Sequence, residues 1–242
     1  MMENLCSKQA EERVRSIQQS IASAAENAGR NPAEIRLMAV TKTRTAQEVN
    51  EVIAAGVTLL GENRAQELCA RYEDYDLDHC EIHFIGRLQT NKVRQIIDKV
   101  TMIESVDSEK LAAEISRQCE KHGTEMDILI EVNIGDEESK GGFDQNNVEE
   151  AIRRIAQLPH IHIKGIMSIP PIEDDDSKVR AYFAATKRIF IDIKRKNIDN
   201  VTMEILSMGM SGDFPQAILE GSTQVRIGTA LFGPRNYSVP QH

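Results

Sequence analysis

Short apolar, β-prone runs alternate with amphipathic helical segments along nearly the whole chain of 242 residues. Such alternation is typical of a parallel sheet, because the next parallel strand is reached only through a crossover connection, usually a helix. Eight runs are predicted to be strands, at 35–41, 58–60, 81–85, 102–106, 126–134, 162–169, 203–206 and 224–227. Eight strands in about 250 residues is the count of a (β/α)₈ TIM barrel, whereas an open doubly wound sheet more often has fewer. We therefore predict the α/β class and a barrel.

An additional helix is predicted before the first strand. Val14, Ile17, Ile21 and Ala25 recur at helical spacing, and Pro32 follows the end of the pattern. The chain shows neither a low-complexity linker nor a shift in composition. We therefore expect residues 1–242 to form a single domain, with the helix of about residues 1–30 packed on the barrel.

Composition and cysteine spacing exclude several classes of function. A net charge of −9 argues against binding of nucleic acid as the main task. The four cysteines form no C-x-x-C pair and lack the spacing of zinc ligands, so we predict no metal site and reduced thiols. The sequence shows no signal-peptide pattern, and no apolar run approaches the roughly 18 residues of a membrane span. We expect a cytoplasmic protein with no membrane partner.

Lys42, directly after the first predicted strand, is the principal candidate for chemistry. TIM barrels carry their active sites at the C-terminal ends of the strands. A lysine that is desolvated there has a lowered pKa, and its neutral amine attacks carbonyl groups. Taken alone, Lys42 also fits a solvated side chain just beyond a strand end.

The segments after the seventh and eighth strands predict a phosphate site. TIM barrels frequently bind phosphate at these loops. Both loops contain hydroxyl side chains and glycines that let the backbone approach an anion, with Arg226 adding a positive charge: Ser207, Gly209, Ser211, Gly212, Gly228 and Thr229. An amine for an aldehyde beside a cradle for a phosphate is what pyridoxal 5′-phosphate (PLP) requires. Tight turns with ordinary caps would also explain the loops taken alone.

Six segments in order resemble the YggS/PROSC family of pyridoxal phosphate homeostasis proteins over nearly the whole chain. They are AVTKT at 39–43, GENR at 61–64, HFIGRLQTNK at 83–92, SVD at 105–107, LSMGMS at 206–211 and VRIGTALFG at 225–233. The resemblance implies a fold-type III barrel similar to the N-terminal domain of alanine racemase. It implies that Lys42 forms the Schiff base with PLP and that Ser207 and the backbone of Gly228 and Thr229 hold the phosphate. It further implies that Arg226 faces the pyridine nitrogen and that Asn63 and Met167 line the pocket.

A guanidinium beside the pyridine nitrogen has a consequence for function. Arg226 stays charged and only donates hydrogen bonds, so the ring nitrogen beside it remains unprotonated and the ring is a weak electron sink. Racemase chemistry would also need a second base, for which Tyr237 is the only tyrosine in a plausible position. His83 is interpreted as a packed or hydrogen-bonded barrel residue rather than a general base.

Three functions remain after this argument. We expect a non-catalytic, monomeric PLP carrier that contributes to vitamin B6 homeostasis and passes PLP to apoenzymes. The alternative is a minimal PLP-dependent amino-acid racemase or decarboxylase. A third possibility, a barrel enzyme acting on sugar phosphates without PLP, would leave Lys42 without a role.

Overall fold

Eight parallel strands close into a barrel in the computed structural model, which describes residues 2–137 and 141–233, with side chains described from residue 7. Each strand pairs with its neighbour in sequence, and β1 pairs with β8. The strands are β1 Arg36–Val40, β2 Leu59–Glu62, β3 Glu81–Phe84, β4 Met102–Val106, β5 Met126–Val132, β6 Ile161–Ser168, β7 Val201–Met210 and β8 Gln224–Ile227. The predicted TIM barrel is confirmed.

Helices connect the strands and surround the barrel. They are α1 Met2–Asn27, α2 Ala46–Ala54, α3 Ala65–Arg71, α4 Val93–Ile96, α5 Glu109–His122, α6 Val148–Ile155, α7 Asp176–Arg195, α8 Phe214–Leu219 and α9 Thr229–Phe232. Local sequence signals set several of their ends. Thr45 and Glu48 form a reciprocal capping box at the start of α2, and Gly123 ends α5 in the left-handed conformation that glycine adopts without strain.

The strand β7 is longer than the sequence pattern predicts. The prediction ends this strand at residue 206, whereas it continues to Met210. A register shift against β8 between Ser207 and Met210, together with a φ of +95° at Gly209, lets the strand pass through a segment that reads as a loop. This extension changes where the side chains of the segment point.

The apolar side chains fall into layers on the two sides of the strands. The main core lies between the outer face of the barrel and the helices. Two smaller clusters lie apart from it: one of Met38, Val40, Leu59 and Ile85, and one built around Met102, Leu129 and Met167. These side chains alternate along the strands with those of the main core, which places them inside the barrel.

The helix α1 contacts α2, α8 and α9. Its buried positions Val14, Ile21 and Ala25 belong to the main core, as the spacing predicts. Two arginines, one on α1 and one just after it, add hydrogen bonds from this segment to backbone carbonyl groups near the end of the chain's barrel. Arg13 Nε donates to the backbone oxygen of Leu231 at 2.6 Å, and Arg30 Nη1 donates to that of Ser222 at 2.7 Å.

In the part of the chain that the structure describes, no helix is both long enough and apolar enough to cross a lipid bilayer.

Candidate functional site

A cavity of about 290 Å³ opens at the C-terminal end of the barrel. Its lining comes from the ends of β1, β2, β3, β6, β7 and β8 and from the residues just after them: Val40, Lys42, Arg44, Asn63, Ile85, Ile169, Met210, Ser211, Gly212, Arg226, Gly228 and Thr229. Seven of the ten residues that the sequence predicts for the site are among them, namely Lys42, Asn63, Ser211, Gly212, Arg226, Gly228 and Thr229. Because parallel strands all end at one face, residues far apart in sequence meet there.

Lys42 lies two residues beyond the end of β1 and lines the cavity. Its side chain is exposed, which corrects the expectation that burial desolvates the amine. The adjacent backbone is held by hydrogen bonds: the Thr43 amide donates to Glu67 Oε2 at 3.1 Å, and Arg71 Nη1 donates to the backbone oxygen of Arg44. The structure therefore fixes the position of the lysine through its loop rather than through burial of its side chain.

Arg71 is itself anchored by a buried acid. Glu62, the last residue of β2, is fully buried and accepts a hydrogen bond from the Tyr75 hydroxyl at 2.6 Å and another from Arg71 Nη2 at 3.2 Å. Burial raises the pKa of Glu62, and the charge of Arg71 and the hydrogen bond from Tyr75 oppose that rise. This cluster connects β2 and α3 to the loop that carries Lys42.

Arg44 links the loop that carries Lys42 to the segment that follows β8 on another side of the cavity. This buried arginine lies two residues after Lys42, and its Nη2 donates to the backbone oxygen of Gly233 at 2.5 Å. Its guanidinium also lies over the Phe232 ring, 5.3 Å from the centroid. Because α9 ends at Phe232, Arg44 connects the lysine loop to the helix that begins at Thr229. No sequence motif singles out Arg44, whose one signal is its place two residues after Lys42.

The wall opposite the lysine loop consists of small and hydroxyl residues. Ser211 and Gly212 follow β7, and Gly228 and Thr229 follow β8. The Gly228 amide donates to Ser211 Oγ at 3.4 Å, which holds the two segments together. The α9 helix starts here, so its first backbone N–H groups lie at this wall without intrahelical partners. Such a wall suits an anion.

Arg226 supplies a buried positive charge at the base of the cavity. It is 3% exposed; its Nη1 donates to Ser207 Oγ and its Nη2 to the backbone oxygen of Ser168, both at 2.8 Å. Burial lowers the pKa of Arg226, while the negative charges of Glu104, Glu131 and Asp213 act in the opposite direction.

Three predicted site residues lie away from the cavity lining. Ser207 is fully buried inside the barrel, where its hydroxyl bonds Arg226 and Glu104. Gly209 packs against α8, since a Cβ there would lie 2.6 Å from the Cβ of Ala217. Met167 is fully buried in the interior cluster with Met102. The longer course of β7 accounts for Ser207 and Gly209, because both belong to the strand and not to the loop that follows it.

Asn63 presents an acceptor at the cavity. Its Oδ1 is buried and has no hydrogen-bond partner among the described residues. A buried acceptor without a donor is costly, so its place in the lining suits a ligand that donates a hydrogen bond.

Tyr237, the candidate for a second base, lies outside the described residues. Across the described ranges, no group of three His, Cys, Asp or Glu side chains is arranged to hold a metal ion.

The comparisons with known proteins agree with this fold. The model of the alanine racemase N-terminal domain family matches residues 13–236. A pyridoxal phosphate homeostasis protein of Aquifex aeolicus (strain VF5) is 43% identical over 227 residues, which is 93% of this chain and 98% of the relative. A crystal structure of a protein from Bifidobacterium adolescentis has a TM-score of 0.88 at 36% identity, covering 94% of this chain and 96% of that one. PipY of Synechococcus elongatus PCC7942, solved with PLP bound, has a TM-score of 0.81 at 31% identity, covering 93% and 100%.

Proposed function

The chain belongs to the family of pyridoxal phosphate homeostasis proteins, and on this premise we propose that it carries PLP in the cavity at the barrel mouth without catalysing a reaction. The observation that carries the proposal is the meeting of Lys42 with a phosphate-compatible wall in one cavity. The solved relative with PLP bound supports the choice of cofactor. We further propose that residues 1–242 act as one domain.

The charge of the cavity suits an anionic cofactor. Among the described residues that line it, the ionisable ones are Lys42, Arg44 and Arg226, and none is a carboxylate. Ser211, Gly212, Gly228 and Thr229 would hold the phosphate, and Asn63 Oδ1 would accept a hydrogen bond. Because Ser207 lies beneath the cavity lining, its role in this proposal is to orient Arg226.

Lys42 has the role of covalent attachment. Its amine condenses with the aldehyde of PLP with loss of one water, which is the chemistry that the cofactor supplies when bound. The loop backbone at Thr43 and Arg44, which is fixed by hydrogen bonds to Glu67 and Arg71, holds the lysine in place for this step.

The non-catalytic part of the proposal rests on which acids and bases line the cavity. Arg226 remains a cationic donor, which keeps the neighbouring ring nitrogen unprotonated. No histidine, tyrosine or carboxylate among the described lining residues offers a second base opposite Lys42. We propose that the protein acts as a monomer in the cytoplasm, holds the reactive aldehyde and releases it to apoenzymes.

The test combines a spectrum with chemical trapping. Purified protein incubated with PLP is expected to be yellow, and borohydride should fix the cofactor on Lys42, as read by peptide mass spectrometry. Lys42→Ala should abolish trapping, and Lys110→Ala, which alters an exposed lysine on α5, should leave it intact. A colourless protein, or undiminished trapping in Lys42→Ala, would contradict the assignment. Exchange of a substrate α-proton with solvent would instead support the racemase alternative.

A further inference from the structure

A buried polar network inside the barrel leads away from Arg226 to side chains outside the cavity lining. Arg226 Nη1 donates to Ser207 Oγ at 2.8 Å, and Ser207 Oγ donates to Glu104 Oε2 at 2.7 Å. Gln224 Nε2 donates to Glu104 Oε1 at 2.6 Å. Glu104, on β4, is fully buried, so the network connects β4, β7 and β8 across the interior.

The donors and acceptors in this network permit one direction only. A guanidinium only donates and an ionised carboxylate only accepts, while the Ser207 hydroxyl carries a single proton. That proton therefore goes to Glu104, and a lone pair of Ser207 receives Arg226. The ionised Glu104 thus takes the proton of Ser207 and leaves the hydroxyl oxygen to accept from Arg226 Nη1 at 2.8 Å and from Gln224 Nε2 at 3.2 Å.

Glu104 also balances the charge of Arg226. A buried charge without a partner is strongly unfavourable. Of the three carboxylates that act on Arg226, Glu104 is the one with a hydrogen-bonded path to it in the described structure, and Glu131 and Asp213 act through space. On its other side, Glu104 Oε1 lies 2.6 Å from His83 Nδ1. Although burial alone would raise the pKa of Glu104, the bond to His83 and the charges of His83 and Arg226 lower it, so the group stays ionised.

We propose that Glu104 is a positioning residue for Arg226: acting through Ser207, it orients the buried guanidinium towards the cavity. The importance of this orientation for PLP rests on the proposed function, whereas the hydrogen-bonded restraint on Arg226 exists with or without the cofactor.

Glu104→Gln tests the restraint with little change of shape. The two Glu104 oxygens serve three partners: His83, Ser207 and Gln224. A glutamine has one acceptor oxygen and a donating amide, so it meets Ser207 or Gln224 with a donor facing a donor. The rotation of the Arg226 guanidinium about its Nε–Cζ bond, measured by ¹⁵N NMR on the full chain without added PLP, should become about tenfold faster.

Two further variants make the result decisive. Ser207→Ala removes the relay and leaves both charges, so it should free Arg226 in the same way and gives the answer if Glu104→Gln does not fold. The matched control is Glu131→Gln, which removes an acid inside the same barrel that acts on Arg226 without a hydrogen bond to it in the described structure, and it should leave the rotation as in the parent. A guanidinium held as tightly as in the parent in the folded variants would overturn the proposal, as would equal loosening by Glu131→Gln.

A second readout separates this inference from the proposed function. If the parent binds PLP, Glu104→Gln should weaken that binding about tenfold and shift the absorption band of the bound cofactor, which a purely structural role would leave in place. If the parent does not bind PLP, the proposed function fails, while the NMR measurement still decides whether Glu104 positions Arg226.

Discussion

Gly86 and Asn63 are packed backbone against backbone, so that the carbonyl oxygen of Asn63 occupies the space a Cβ on Gly86 would need. The contact brings the end of β3 against the end of β2. It also determines where the Asn63 side chain stands at the cavity, because the backbone of Asn63 cannot move towards β3.

Gly86→Ala should therefore displace Asn63 and destabilise the barrel. Inserting a methyl group where only backbone surrounds it costs about 1–3 kcal/mol, and we expect that loss in the free energy of unfolding from denaturant titration. Gly212→Ala is the steric control, because nothing lies within 4 Å of a Cβ at that position, and its stability should match the parent. Equal stability of the two variants would contradict the close packing.

Arg71→Met should cost about 3 kcal/mol of stability. The variant leaves the fully buried Glu62 carboxylate without its arginine, and removal of one partner from a buried pair typically costs this much. It also frees the backbone oxygen of Arg44, so attachment of PLP to Lys42 should slow. The control is Arg64→Met, which removes an exposed arginine from its pair with the half-buried Glu67 and should change stability by less than about 1 kcal/mol. Comparable losses in the two variants would argue against the anchoring role of Glu62.

Ser211→Ala should weaken PLP binding by about tenfold, because Ser211 lines the cavity and would lose a hydrogen bond to a charged group. Titration of the absorbance with PLP measures the change. Ser20→Ala, on the exposed face of α1, should bind like the parent. Unchanged affinity in Ser211→Ala would remove this hydroxyl from the phosphate site.

Stability should fall with rising pH because of Glu131. Burial, together with the negative charge of Asp107, raises the pKa of this carboxyl to about 7. A raised carboxyl pKa means that the fold favours the protonated form of Glu131. The stability that this preference contributes is complete below the ordinary glutamate pKa of about 4.5 and is lost as the pH rises through about 7.

Glu131→Gln replaces the carboxyl group with an amide that is neutral at every pH. At pH 8 the variant should exceed the parent by about 1–3 kcal/mol in free energy of unfolding, and at pH 4 the two should agree. Denaturant titrations across this range measure the difference, with Glu150→Gln at an exposed carboxyl of α6 following the parent throughout. A constant difference between pH 4 and pH 8 would show that Glu131 does not titrate in this window.

The parts of the site that the sequence predicts are those that depend only on chain order. Once eight alternating strands are recognised, the residues after each strand must meet at one face. This suffices to bring Lys42, Asn63, Arg226, Gly228 and Thr229 to a common mouth, and the family resemblance supplies the chemistry expected there.

The remaining features depend on geometry that no local pattern records. Ser207 and Gly209 read as a loop because serine and glycine favour turns, yet the register shift in β7 extends the strand through both. The direction in which a strand residue points follows from its register, so the turn prediction could not place the Ser207 hydroxyl inside the barrel. Likewise, the partnership of Glu104 with Arg226 joins residues more than 100 positions apart and appears only when the barrel is closed.

The attachment of α1 through Arg13 and Arg30 determines which shortened versions of the chain are worth making. A shortened chain that begins at the first strand would lack Val14 and Ile21 and would expose the apolar surface of α2, α8 and α9 that α1 covers. It would also leave the carbonyls of Leu231 and Ser222 without these donors. One of those carbonyls belongs to α9, the short helix at the phosphate wall. Trimming α1 therefore disturbs the ligand pocket, although α1 and the pocket wall at α9 lie far apart in the sequence. Bound ligand should in turn slow limited proteolysis of α1.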